Sequence, residues 1–173
     1  MSVLGFEATA ADRFTARLQE HRGILYRIAA GYAFTPSDRE DLTQEIVAEL
    51  WRSFPRYDEQ RPFSTWLYRV ALNTAISFAR RESRRQRRIV AAEDAILDTG
   101  SPLVESEGTD ENVRTLWRFI NELGELDRAL LLLHLDGNRH SVVGEVLGIS
   151  ESNVGTKLTR IRDRLRQQVA ASN

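Results

Sequence analysis

Apolar residues recur every three or four positions through most of the chain, and that period sets the class of fold available to it. Leu42, Ile46 and Leu50 stand at i, i+4 and i+8, and Phe14, Leu18, Leu25, Ile28 and Tyr32 keep helical spacing ahead of them. Arg13, Arg17, Glu20 and Arg22 fall off that first stripe. Downstream, Val113, Leu116, Trp117, Ile120 and Leu123 repeat the pattern, and Val154, Leu158, Ile161 and Leu165 follow at i, i+4, i+7 and i+11. Each stripe buries one side of a helix and leaves the other side wet. The expected fold is therefore all-α: two small helical domains joined by an acidic linker, the C-terminal one a helix-turn-helix.

Proline, glycine and capping residues set the boundaries. A first helix is predicted over 11–33 and closes at Phe34-Thr35-Pro36, since proline disfavours helical geometry in the residue before it. Ser37 offers an N-cap, with Glu40 three residues on completing a capping-box pattern. Asp38, Glu40 and Asp41 then sit where the helix dipole favours negative charge. The second helix is predicted over 38–53, with Pro55 ending it and 56–62 forming a polar loop. A third starts near Phe63, where Ser64 and Thr65 can supply N-terminal hydrogen bonds. Trp66, Leu67, Val70, Ala71 and Phe78 can face its core.

Residues 89–111 change character: Gly100-Ser101-Pro102 and Gly108-Thr109 break any helix, acids dominate, and a short helical turn is expected only around 92–97. The C-terminal module begins near Asn112, continues through a strongly apolar helix over 126–135, and turns at Asp136-Gly137-Asn138. Gly144 and Gly148 suit the close approach and turn of a helix-turn-helix, and Ser150 is a natural N-cap for the last helix. The expected division is residues 1–90, a linker at 91–111, and 112–173.

A formal net charge of −1 conceals a strong segregation. Residues 1–60 carry seven basic against ten acidic side chains, 61–92 eight against one, 93–127 two against ten, and 128–173 seven against four. Two basic blocks separated by an acidic one suggest two DNA-facing modules on an acidic tether. The run RRESRRQRR at 80–88 holds six arginines against one glutamate. Such runs are usually just solvated, but this one continues a helix carrying Trp66, Tyr68, Arg69, Asn73 and Ser77, a set suited to phosphate contact and base stacking. On the second helix, Asp41, Glu45 and Glu49 form a carboxylate stripe with Gln44 nearby. The residues alone leave open whether it is a solvated face or the complement of a basic partner. On the last helix, Ser152, Asn153, Thr156, Lys157, Thr159 and Arg160 remain for solvent or for a major groove.

Other classes are excluded by what is missing. There is no cysteine, so disulfides and thiolate metal sites are out and a reducing cytosol is the natural compartment. His21, His134 and His140 form no metal-ligand spacing. No signal peptide is visible at the N-terminus, and the longest apolar run, 129–133, is far too short to enter a membrane. No Ser/His/Asp set or phosphate-cradling glycine loop points to an enzyme, and no cofactor is implied. A conventional helix-turn-helix regulator and a helical scaffold remain as alternatives on the residues alone.

Three segments narrow the choice. DLTQEIVAELW, then FSTWLYRVALN with the basic run behind it, then LGISESNVGTKLTRIRDRLR resemble bacterial RNA polymerase sigma factors, in the compact layout of the extracytoplasmic-function (ECF) group. The likeness runs from about residue 12 to 168. It implies that Asp41, Leu42, Gln44 and Glu45 dock on a coiled coil of the polymerase β′ subunit. Phe63, Thr65, Trp66, Leu67, Tyr68 and Asn73 match the segment that melts and reads the minus-ten element, and Arg61, Ser64, Arg69, Arg80 and Arg81 count with them as DNA contacts. The loop 56–62 corresponds to one that receives a flipped base. Ser152, Asn153, Thr156, Lys157 and Arg160 fall on the helix that reads the minus-thirty-five element. The implied partners are core RNA polymerase (β′ and β subunits), promoter DNA and an anti-sigma factor, with the acidic linker threading the polymerase channel. Gly155, Arg139, His140 and Leu126 depart from the family pattern; a mid-helix glycine costs about 1 kcal/mol of helix propensity.

Overall fold

The computed structural model describes residues 9–92 and 111–171, and every regular element among them is helical. In chain order these are α1 (Ala10–Glu20), α2 (Arg22–Tyr32), α3 (Pro36–Ser53), a 3-10 turn (Phe54–Arg56), α4 (Phe63–Ala92), α5 (Glu111–Glu122), α6 (Glu125–Leu135), α7 (His140–Leu147) and α8 (Glu151–Ala171). The acidic stretch 93–110, with nearly all of the turn expected at 92–97, lies outside the described residues.

The single helix expected over 11–33 is two helices. His21 takes φ −112° and ψ 9°, and its Nδ1 lies 2.9 Å from the carbonyl of Arg17, one of the acceptors left unpaired at a helix end. Apolar spacing runs unbroken across His21, so periodicity could not reveal the bend. The bend lays α1 across the end of α3, where Phe14 meets Trp51 and Phe54 edge-on, both at 5.1 Å between centroids. Thr9 and Asp12 close the start of α1 as a reciprocal capping box. The bonds from the Thr9 hydroxyl and amide hold the Asp12 carboxyl below its ordinary range.

Helix α3 starts two residues earlier than expected. Thr35, not Ser37, is its N-cap, with Oγ1 accepting from the amide of Asp38 at 3.0 Å. Pro36 fits the first helical position because an N–H there would have had no partner. Leu42, Ile46 and Leu50 are fully buried, and α3 packs on α2 and α4. Each of these side chains contributes roughly 1.5–3 kcal/mol by leaving water. Helix α4 is 30 residues long. Its first half supplies Leu67, Ala71, Leu72, Ala75 and Phe78 to the core, and its second half carries the exposed arginines.

In the C-terminal half, Gly148 ends α7 at φ 69°, a left-handed geometry natural only to glycine. Gly144 is fixed by a different constraint: a Cβ there would sit 2.6 Å from the Ile149 carbonyl oxygen. Ser150 Oγ then caps α8 by accepting from the Asn153 amide at 3.1 Å. Arg139 occupies the N-cap of α7 without a side-chain capping bond. Arg128, at the start of α6, is buried and donates to four carbonyls: Ile120, Asn121, Leu123 and, across the chain, Gly31. Its guanidinium also lies 5.2 Å from the Tyr32 ring centroid. The two halves thus abut, with α2 against α5 and α6, and α4 against α7.

Arg128→Leu strands those carbonyls, and a loss of about 3 kcal/mol or more is expected from the urea midpoint. Arg128→Lys restores little of it, because an ammonium cannot span acceptors that a planar fork reaches. A wild-type midpoint in either variant would show that the buried network is dispensable.

Candidate nucleic-acid interface

The acids of α3 do not share one environment. Asp41 and Gln44 face solvent, Glu45 is half-buried, and Leu42 has no exposed surface. Leu42 therefore anchors the helix and has nothing to offer a docking partner directly. The Glu45 carboxylate receives Arg81 NH2 at 2.9 and 2.6 Å, which ties the acidic stripe to the arginine run of α4. Glu49 pairs with Arg52 one turn on. Alongside runs an apolar groove between α1 and α3, lined by Phe14, Val47, Ala48 and Trp51 with Gln44 at its edge. Trp51 is 48 % exposed. Sequence reading passed over it, although a tryptophan lying off the Leu42/Ile46/Leu50 stripe was the available signal.

At the start of α4, Phe63, Thr65 and Tyr68 are buried, Ser64 and Trp66 half-buried, and Arg69 and Asn73 exposed. Tyr57, Phe63 and Trp66 pack against one another at 5.0–5.5 Å between centroids, Tyr57 edge-on to Phe63 and the other two pairs tilted. Phe54 stands at 6.1 Å from Tyr57 and 6.2 Å from Trp66. The Arg17 guanidinium covers the group, 5.6 Å from Tyr57 and 5.8 Å from Phe63. Tyr57 Oη donates to the Arg61 carbonyl at 2.5 Å and pins the loop 56–62 against this cluster. In this arrangement the aromatics seat the loop on the helix, and Phe63 and Tyr68 present almost no ring surface to a base.

The polar groups around them are engaged by the C-terminal half. Arg61 NH1 meets Glu145 Oε1 at 3.0 Å, and Arg69 NH2 donates to the Glu145 carbonyl at 2.8 Å. Tyr68 Oη donates to Asp136 Oδ2 at 2.7 Å, and Arg27 pairs with the same carboxylate. Burial, and then the Asp136 bond, push the Tyr68 hydroxyl up to about 12. Arg80 forks onto Glu125, with Nε at 2.9 Å from both oxygens and NH2 at 2.5 Å from Oε2. The fork raises the Arg80 guanidinium and lowers the Glu125 carboxyl. None of these three acceptor residues carried a signal in the sequence, because each is defined by a contact between distant segments.

On α8, Ser152, Asn153, Thr156 and Arg160 share an exposed face. Lys157 is half-buried, its Nζ 3.0 Å from Asp127 Oδ1 at the start of α6. Among the described residues no group of His, Asp and Glu is placed to hold a metal, and no helix is long and apolar enough to cross a membrane.

Family profiles match both halves of the chain: Sigma-70 region 2 over residues 18–85 and Sigma-70, region 4 over 114–165. The sequence is 26 % identical over 171 residues to the ECF RNA polymerase sigma factor SigE of Mycolicibacterium smegmatis, covering 95 % of this chain and 66 % of that protein. It is 25 % identical over 175 residues to the RNA polymerase sigma factor CnrH of Cupriavidus metallidurans, covering 94 % and 91 %. The fold is similar to the sigma factor RpoE in its complex with the anti-sigma factor NepR from Bartonella quintana, with TM-score 0.72 at 17 % identity over 93 % of this chain and 99 % of that one. It is also similar to CnrH in complex with the cytosolic domain of CnrY, with TM-score 0.64 at 22 % identity over 92 % and 89 %.

Gly155 interrupts the face of α8 without any need for glycine. Its φ is ordinary, and the nearest atom to an added Cβ is His140 Nδ1 at 3.9 Å. Gly155→Ala is expected to stabilise the protein by about 1 kcal/mol through helix propensity. A thermal midpoint equal to or below wild type would show that the site resists a side chain.

Proposed function

We propose, from the premise that this chain belongs to the sigma-70 family of bacterial RNA polymerase sigma factors, in its ECF group, a division of labour among three surfaces. As a sigma factor it recognises promoters and directs transcription initiation. In the proposed division, residues 1–90 act as region 2, 91–111 as the linker and 112–173 as region 4. Asp41, Gln44 and Glu45 dock on the β′ coiled coil, with Leu42 holding their helix in place. The loop 56–62 and the polar edge of α4, from Arg61 through Asn73 to Arg80 and Arg81, take the minus-ten strand. Ser152, Asn153, Thr156, Lys157 and Arg160 read the minus-thirty-five duplex.

The observation that carries this reading is the order of the two profile matches on a chain whose exposed groups differ in sign as the roles require: carboxylates on α3, arginines on α4 and α8. A melted strand must be held by stacking and hydrogen bonds to splayed bases, each stacked base contributing roughly 1–3 kcal/mol. Trp66 and Asn73 are placed for that, with arginines on either side for phosphate. The partners are core polymerase (β′ and β), promoter DNA and, as in the two solved relatives, an anti-sigma factor. The protein works by binding, without a reaction of its own, in the cytoplasm where the polymerase is.

Core polymerase charged with this protein is expected to give promoter-specific run-off transcripts, and failure to form any complex would overturn the proposal. Asp41→Arg places a cation on an exposed position, so it is expected to abolish co-purification with core while leaving the melting curve unchanged. Arg160→Ala is expected to weaken dependence on the minus-thirty-five element and reduce the salt slope of binding by about one. An unchanged slope and promoter preference would remove α8 from the duplex.

A further inference from the structure

We infer that the bare backbone at Gly155, with the side chains of His140 and Arg139, forms a seat for one backbone phosphate of the duplex beside α8. The inference rests on the proposed reading of α8 as the minus-thirty-five helix and adds to it a contact made from α7.

Glycine is a poor choice for the middle of a helix, and the fold gives no reason for one at 155. An added Cβ would meet only His140 Nδ1, at 3.9 Å. Without a side chain, Gly155 leaves a notch on the flank of α8, beside the exposed Ser152, Thr156 and Thr159. The neighbouring hydroxyls do not fill it. Thr159 Oγ1 donates to the Gly155 carbonyl at 3.0 Å and Thr156 Oγ1 to the Ser152 carbonyl at 3.1 Å, so both are turned back onto the helix. A backbone bared in this way is what allows close approach to a ligand.

Donors from three helices gather at the notch. His140 of α7 borders it and is half-exposed. Arg139, one position earlier, is exposed and spends no side-chain bond on capping. From α6, the His134 ring stands 6.1 Å from the His140 ring. Burial, and then the proximity of His140 and of Arg162 on α8, hold His134 below histidine's ordinary range. Among the described residues no carboxylate pairs with Arg139 or Arg162. Lys157, two positions from Gly155 and so on the opposite flank of the helix, is instead held by Asp127 of α6. A helix in the major groove has a sugar–phosphate backbone along each side. The flank at Gly155 is the one with open space and unpaired positive charge, so a phosphate backs against it and accepts from His140 and Arg139. Such a contact sets the register of α8 in the groove and carries no sequence information itself.

The test uses the full chain and a short fluorescein-labelled duplex of mixed sequence, read by anisotropy over a salt series that starts low, where electrostatic binding is tightest. A mixed sequence suffices because a phosphate contact is blind to the bases. Gly155→Leu fills the notch with a good helix former and changes no charge. His140→Ala removes a donor, and His140→Lys restores one with a charge. Arg160→Ala, on the exposed face of α8, reports on the helix itself.

Arg139→Ala is expected to reduce the salt slope by about one. His140→Ala is expected to weaken binding several-fold, and His140→Lys to bind at least as well as wild type. Gly155→Leu is expected to weaken binding several-fold while its thermal midpoint stays at or above wild type, opposite signs that a folding defect does not produce. Wild-type affinity in His140→Ala or in Gly155→Leu overturns the seat. If Arg160→Ala lowers the slope while the Arg139, His140 and Gly155 variants bind as wild type, the reading of α8 survives and the seat does not. If Arg160→Ala changes nothing either, α8 is off the duplex and the seat falls with it.

Discussion

A single buried cation closes the ends of two helices that belong to different halves of the chain. The last carbonyls of a helix have no partner within it and carry the negative end of its dipole. Arg128 collects Ile120 and Asn121 from the end of α5, Leu123 just beyond it, and Gly31 from the end of α2. Burial disfavours the charged form and lowers the guanidinium's affinity for its proton, but arginine stays protonated all the same. Its desolvation cost is several kcal/mol, offset here by dipoles aimed from four directions and by the Tyr32 ring. Among the described residues no carboxylate is bonded to it, so the arrangement depends on where helices end. That is why α5, α6 and α2 must meet at this point.

Much of the fold was legible because it follows from local rules. The stripe at Leu42, Ile46 and Leu50 specified a buried helix, and Gly148 and Ser150 marked the turn and cap that follow α7. The misreadings have equally local causes. Ser37 looked like a cap because it precedes an acid at the right spacing, but Thr35 sits before Pro36, and proline at a first helical position wins the competition. His21 bends the chain without disturbing the apolar period. The site was legible as a set of residues and not as an arrangement. Tyr68, Arg69 and Arg80 could be named from composition and family likeness, whereas their partners Asp136, Glu145 and Glu125 lie 45 to 76 positions away, at distances that no pattern encodes.

Charge in this chain is nearly balanced overall, at −1, but segregated by segment. The Glu45–Arg81 bond joins an acid on α3, proposed to dock on polymerase, to an arginine on α4 proposed to face the strand. A basic partner that approaches Glu45 competes with Arg81 for its carboxylate. Under the proposed roles, one ion pair within region 2 would link docking to strand binding.

The strengths of these contacts put the molecule's motions in order. The pairs of Arg61 with Glu145 and of Arg80 with Glu125 are all more than a third exposed, and pairs of that kind contribute about 0.2–1 kcal/mol each, less as salt rises. Only one of Arg128's four bonds crosses between the halves, and water can replace that acceptor when they part. Within each half, by contrast, fully buried leucines and isoleucines contribute roughly 1.5–3 kcal/mol apiece. The exposed ion pairs between the halves are thus individually weaker than the apolar packing within each half.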